Sequence, residues 1–219
     1  MTLNMIDNLH YISQQAADGS HLTAIQQALA AGCKWIQLRI KNQPKEFILE
    51  QAITANKMCL SYGAKLIVDD HPDIALKSGA HGVHLGLQDM PIAEARGIVG
   101  DKMIIGGTAN TFAHILQRVY EGVDYIGCGP YRFTSTKENL SPILGLRGFE
   151  KLVAEMEAAH IRIPVIAIGG ILPEDVHPIR QLGIYGVALS GAITFSDHRE
   201  QVVSEIYQQL NNPFSHQVI

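Results

Sequence analysis

The sequence predicts an α/β fold, a (β/α)8 TIM barrel occupying residues 1–219 as one domain, and three observations predict it. Short β-rich runs recur every 20 to 30 residues, segments with helical periodicity separate them, and the alternation repeats eight times. Alternation of this kind is the signature of parallel βα units, and a chain of 219 residues is just long enough to close eight of them. A doubly wound open sheet is the structural alternative that pattern alone leaves open.

Taken in order, HYIS at 10–13 is the first strand and HLTAIQQALAAG at 21–32 the helix after it. WIQLRI at 35–40 pairs with the helical segment 44–63, and KLIVDD at 65–70 with HPDIALKSG at 71–79. GVHLG at 82–86 precedes IAEARGIVG at 92–100, and KMIIGG at 102–107 precedes TFAHILQRVYEG at 111–122. YIGCG at 125–129 leads through a long irregular stretch, 130–146, to RGFEKLVAEMEAAH at 147–160. PVIAIG at 164–169 is followed by PEDVHPIRQLG at 173–183, and YGVALS at 185–190 by a last helix from about Asp197 to Leu210. Most runs are nearly continuous in apolar residues, as strands buried on both faces must be. Gly32, Gly63, Gly79, Gly122 and Gly183 stand where a helix C-terminus takes glycine.

Hydrophobic residues at 47% and charged residues at 17% mark a chain that can fill a core. A formal charge of −4 supplies no basic field, which argues against nucleic acid or an anionic membrane as partner and for small-molecule substrates. A homo-oligomer is compatible with this surface. The three cysteines are odd in number and lack CxxC spacing, so Cys33, Cys59 and Cys128 read as small core residues, not as a disulfide or zinc framework. No basic leader or apolar run near the ~20 residues that span a bilayer is visible, and a reducing, cytoplasmic location is expected.

Barrel enzymes build their sites at the C-terminal ends of the strands, and the polar residues gather there. At the second exit the period of a strand sends Gln37, Arg39 and Lys41 to one side, two cations with an amide. The third exit carries Asp69 and Asp70, and the turn after the fourth carries Asp89. Mg2+ takes one or two protein carboxylates and completes its octahedron with water and phosphate oxygens, which these exits can supply. Asp70 and Asp89 as N-caps of the following helices remain an alternative. After the sixth strand Thr134, Ser135, Thr136 and Lys137 offer three hydroxyls and an ammonium to a phosphate, or form an ordinary polar loop. Gly169 and Gly170 after the seventh strand, and Ser190 and Gly191 after the eighth, fall where this fold commonly binds phosphate, although a tight βα turn also takes glycine. His84, inside the fourth run, reads as a hydrogen-bonded core residue. No zinc motif, nucleophile elbow or triad is present.

QLRIK at 37–41, Asp69 and Asp70, GVHLG with Asp89, DYIGCGP at 124–130, TSTK at 134–137 and AIGGI at 167–171 together resemble the thiamine phosphate synthase family, over about residues 10–193. The resemblance implies a transferase that joins 4-amino-5-hydroxymethyl-2-methylpyrimidine diphosphate to hydroxyethylthiazole phosphate, or its carboxylated form, releasing pyrophosphate. It implies that the run Gln37, Leu38, Arg39, Ile40, Lys41 contacts the pyrimidine diphosphate together with Asp69, Thr108 and Lys137. Catalytic roles fall on Arg39, Lys41, Thr108 and Lys137, and Mg2+ on Asp70 and Asp89. Thr134, Ser135, Thr136, Gly170, Ser190 and Gly191 would receive the thiazole phosphate. Asp69 stands where the family typically has Asn, Leu87 where it has Gln, Thr108 where it has Ser, and Gly191 where it has Ser. A thiazole tautomerase-like barrel is the rival enzyme reading, although GGTANT lacks the histidine that branch carries after strand five. A catalytically silent barrel that binds a phosphometabolite is the rival of another class.

Overall fold

The structure, a computed structural model, describes residues 6–133 and 142–211. Eight parallel strands close a barrel in chain order: β1 (Leu9–Ile12), β2 (Trp35–Leu38), β3 (Lys65–Asp69), β4 (Gly82–Leu85), β5 (Ile104–Ala109), β6 (Tyr125–Cys128), β7 (Val165–Ile168) and β8 (Gly186–Leu189). β8 returns to β1 through the pairs Leu9 with Val187 and Tyr11 with Leu189, so the sheet has no edge and the open-sheet alternative falls. The helices are α1 (His21–Ala30), α2 (Lys45–Ser61), α3 (Pro72–Ser78), α4 (Ile92–Val99), α5 (Phe112–Glu121), α6 (Gly145–Ala158), α7 (Val176–Gln181), α8 (Gly191–Thr194) and α9 (Arg199–Asn211). None among the described residues is long and apolar enough to cross a membrane.

Alternation along each strand divides the core in two. Outward residues such as Leu9, Ile36, Leu66, Val83, Ile105, Ile126, Val165 and Val187 meet the helices in one continuous apolar layer. Inward residues Ile12, Trp35, Ile67, Ile104, Tyr125, Ile166 and Ala188 fill the barrel itself. All three cysteines are free and buried, and Cys33, Cys59 and Cys128 belong to the outer layer, as expected. Local chemistry sets the helix ends. Ser20 and Thr111 cap α1 and α5 by accepting from the backbone N–H of Thr23 and His114. Gly32, Gly63, Gly79, Gly122 and Gly183 all have positive φ, the conformation that ends a helix on glycine.

Most strand ends shift from expectation by one or two residues, and three differences are larger in consequence. β5 runs on through Thr108 and Ala109, because Gly106 and Gly107 are strand residues and not a turn. A Cβ at Gly106 would lie 2.2 Å from Tyr125 Cζ and one at Gly107 2.8 Å from Arg118 Cδ, so glycine there admits a large side chain from a neighbouring element. Helix α6 begins at Gly145, inside the stretch expected to be irregular. The short helix α8 intervenes between β8 and the last helix.

Closure of the barrel is sensitive at the β1–β8 seam, where a Cβ on Gly186 would lie 2.2 Å from the Asn8 carbonyl oxygen. Gly186→Ala is expected to destabilise the fold by about 3 kcal/mol, since backbone and not a side-chain tip must give way, and chemical denaturation measures it. Inside the barrel His10 stacks on Trp35 at 4.4 Å and its Nε2 donates to the Asp7 carbonyl. Burial lowers its pKa from 6.5 to about 3, against the pull of that hydrogen bond. The unfolded chain therefore takes up this proton first: stability is complete above pH 6.5 and is lost as the pH falls toward about 3. The loss is about 1.4 kcal/mol per pH unit from this one group, and His10→Phe, which keeps the stacking, is expected to flatten the acid limb of the stability profile by that slope.

Candidate active site at the barrel mouth

The β2 exit carries the expected cations. Gln37 is buried on the inward side, and its Nε2 donates to Asp69 Oδ1 at 2.6 Å. Arg39 and Lys41 follow beyond the strand end. The Arg39 N–H donates to Ser13 Oγ, which ties this exit to that of β1, and Arg39 Nε lies 3.9 Å from Asp69 Oδ2. Leu38 and Ile40, grouped with these residues as ligand contacts, turn into the layer between sheet and helices. Alternation forces this, and it leaves only their backbone for a ligand.

Asp70 and Asp89 are not helix caps: His71 and Pro91 occupy the N-cap positions of α3 and α4, and neither helix has a side-chain cap. Asp70 instead has φ of 65°, a left-handed conformation that Asp tolerates at a cost of about 1 kcal/mol. From there its Oδ2 accepts from Lys41 Nζ. Asp89 Oδ2 accepts from the Gly86 N–H at 2.6 Å, and a Cβ at Gly86 would lie 2.7 Å from that oxygen, so a side chain there would displace the carboxylate. Burial, then a hydrogen bond with Asp70 and the charge of Asp70, raise the pKa of Asp89. Two carboxylates held together in this way lack positive charge, and Lys41 supplies only one cation. No cluster of three or more His, Cys, Asp or Glu exists among the described residues. A two-carboxylate donor set suits Mg2+, which keeps waters and phosphate oxygens, and does not suit Zn2+. Asp69, beside them, is driven far above the carboxylate range by burial and then by Asp70, against Arg39, Lys41 and Gln37.

Thr108 projects from the end of β5, and its Oγ1 lies 3.0 Å from His84 Nε2. His84 is hydrogen-bonded at both ring nitrogens, as its reading as a core residue anticipated. Arg118 reaches under this corner from α5. Its Nε donates to the Thr108 carbonyl and its Nη2 to the Gly86 carbonyl, while Nη1 pairs with Glu121 at 2.6 Å. One buried guanidinium thus fixes the β4 and β5 exits together. Arg132 does the same between the loop after β6 and the β7 exit, with a bidentate pair to Asp175 at 2.8 Å and a bond to the Gly170 carbonyl. Sequence pattern did not identify Arg118, Arg132 or Asp175; Arg118 has a local partner in Glu121, but the groups that the two guanidinium groups tie to the strand exits lie 10 to 43 residues away.

Gly169 and Gly170 have φ of 98° and 68°, and a Cβ on Gly170 would lie 2.4 Å from Arg132 Cγ. Protein packing alone therefore requires both glycines. At the β8 exit Ser190 Oγ is buried without a hydrogen-bond partner among the described residues, and so is Gln14 Nε2 from the loop after β1. Gln14 Nε2 lies 3.2 Å from where a Gly191 Cβ would be, so the two orphaned groups flank Gly191. Thr134, Ser135, Thr136 and Lys137 lie outside the described residues. A shallow groove between the end of α1 and α9, lined by Ala31, Gly32, Val203 and Tyr207, opens at the opposite end of the barrel and carries no ionisable cluster.

An eight-stranded α/β barrel with Arg39 against Asp69 and Lys41 against Asp70 at the C-terminal ends of its strands defines the class, a (β/α)8-barrel protein with its charged side chains gathered at the barrel mouth. Residues 9–193 match the family model described as thiamine monophosphate synthase. The chain is 48% identical to the thiamine-phosphate synthase of Phocaeicola vulgatus over 84% of its own length and 89% of that relative. It is 46% identical to the thiamine-phosphate synthase of Flavobacterium psychrophilum over 94% of its own length and 100% of the relative. The solved thiamine phosphate pyrophosphorylase of Pyrococcus furiosus superposes with a TM-score of 0.80 at 30% identity, covering 93% of this chain and 95% of that one. Phosphoribosylanthranilate isomerase from the same organism, at 13% identity and a TM-score of 0.62, shares the fold alone. The chain belongs to the thiamine monophosphate synthase family, a family of transferases.

Proposed function

We propose that the chain is a Mg2+-dependent thiamine phosphate synthase that joins 4-amino-5-hydroxymethyl-2-methylpyrimidine diphosphate to hydroxyethylthiazole phosphate, or its carboxylated form, and releases pyrophosphate. The observation that carries this reading is the placement, in one mouth of a family barrel, of Arg39 against Asp69 and of Lys41 against Asp70 and Asp89. Gln37, Arg39 and Lys41 hold the diphosphate, with Thr108 beside them and Lys137 added from beyond the described residues. Asp70 and Asp89 would hold Mg2+, which would offset the diphosphate charge. The C–O bond to the pyrimidine methylene breaks, its electron pair leaves with pyrophosphate, and the thiazole nitrogen donates its lone pair to form the new C–N bond. A neutral nitrogen nucleophile requires no protein base. The cations act by stabilising the departing charge and by position. Ser190 and Gly191, with Gly170 and the run Thr134, Ser135 and Thr136, receive the thiazole phosphate; the unsatisfied Ser190 Oγ supports this. Buried free thiols fit a reducing cytoplasm.

Purified protein mixed with both substrates and Mg2+ is expected to form thiamine phosphate, and no product above a metal-free control overturns the reading. Micromolar binding without turnover gives the silent-barrel alternative instead. Asp69→Asn is expected to raise stability by about 1 kcal/mol and to lower KM for the pyrimidine diphosphate severalfold. An amide still accepts from Gln37 Nε2, and it releases Arg39 from competition with a buried acid. Thermal melting and initial rates test both parts.

A further inference from the structure

One polar chain crosses the barrel interior and ends at the mouth. The Tyr125 hydroxyl lies 3.1 Å from His84 Nδ1, and His84 Nε2 lies 3.0 Å from Thr108 Oγ1. Three strands supply it, and glycines make room for it. A Cβ on Gly106 would lie 2.5 Å from the Tyr125 hydroxyl oxygen, and one on Gly127 3.0 Å from His84 Cε1. Branched residues normally fill such interior positions, so these strands give up apolar packing to seat two polar rings. The Tyr125 ring is fixed further by edge contacts with His10 at 5.1 Å and Trp35 at 5.5 Å.

The chain has one direction that leaves every proton used. Tyr125 is buried, and burial followed by the charges of Asp69 and Asp124 keeps its hydroxyl protonated. In that direction the Tyr125 proton goes to His84 Nδ1, and the neutral imidazole carries its own proton on Nε2. That N–H donates to Thr108 Oγ1, and the Thr108 proton then has to point away from His84. We infer that Tyr125 and His84 are positioning residues that fix Thr108 as a hydrogen-bond donor toward the substrate in the mouth. This inference rests on the synthase reading for the identity of that substrate, the pyrimidine diphosphate. The opposite tautomer turns the Thr108 proton inward and presents a lone pair to an anion, which repels it.

The proton order is measured without substrate. In protein labelled with 15N-histidine, long-range 15N–1H correlations at neutral pH are expected to show His84, assigned by its loss in His84→Gln, protonated on Nε2 alone. Protonation on Nδ1, or on both nitrogens, overturns the inference. Tyr125→Phe is expected to shift the Nδ1 resonance, and an unchanged resonance counts equally against it. Kinetics test the route through Thr108. His84→Leu is expected to lower kcat/KM for the pyrimidine diphosphate by about 20-fold, equivalent to about 1.8 kcal/mol, with KM for the thiazole phosphate unchanged. His84→Gln, which restores an N–H near the Nε2 position, should recover most of that loss. In a Thr108→Val background His84→Leu should have no further effect; an undiminished 20-fold loss there shows a merely structural role. Failure of the wild type to form thiamine phosphate refutes the synthase reading, while the tautomer measurement still decides the proton order.

Discussion

Asp70→Asn lowers kcat/KM for the pyrimidine diphosphate by about 100-fold or more, the scale on which removal of one preorganised electrostatic group acts in a transition state that develops charge. Asn is the informative replacement. It tolerates the left-handed backbone at φ of 65°, where Ala adds strain, so the variant isolates the loss of charge from the loss of fold. Asp89→Asn is expected to cost at least about tenfold, because its amide oxygen still accepts from the Gly86 N–H while one ligand charge is gone. Both variants should need more Mg2+ for half-maximal rate. Wild-type rates in Asp70→Asn place the metal elsewhere. Asp73→Asn is the internal control: its pair with Lys45, at 3.5 Å, is exposed, and the rate should stay within about twofold.

The strands were legible because burial on both faces writes itself as an apolar run, and the helix ends because positive φ selects glycine at Gly79 and Gly122. Gly106 and Gly107 were read as the last residues of the fifth strand, which in fact runs two residues further. A glycine that makes space for Tyr125 or Arg118 has the same local signature as one that makes a turn, and only the tertiary partner distinguishes them. The same limit separates Asp70 and Asp89 from helix caps. Both precede helices, yet one is turned by its backbone toward Lys41 and the other bonded back to Gly86, which no spacing rule encodes. Alternation correctly grouped Gln37 with Arg39, but it could not show that both face Asp69. The guanidinium braces were illegible because Arg118 joins two backbone carbonyls, which have no sequence identity, and Arg132 meets a carboxylate 43 residues away, which no local spacing encodes.

Arg39→Met is the companion prediction at the neighbouring strand exit, again about 100-fold in kcat/KM for the pyrimidine diphosphate. Arg39→Lys is expected to recover only part of it, because a planar fork meets two phosphate oxygens where an ammonium meets one. The loss has two sources that a second substitution separates. Arg39 faces the buried Asp69 at 3.9 Å, so removing the guanidinium also strips an uncomfortable carboxylate of a counter-charge and should lower Tm. In Asp69→Asn the carboxylate is gone, and adding Arg39→Met there should leave Tm where Asp69→Asn puts it. If the 100-fold kinetic loss persists in the double variant while the thermal loss vanishes, Arg39 acts on the substrate. If both vanish together, Arg39 serves only to neutralise Asp69, and the diphosphate is held by Lys41 and its neighbours without it.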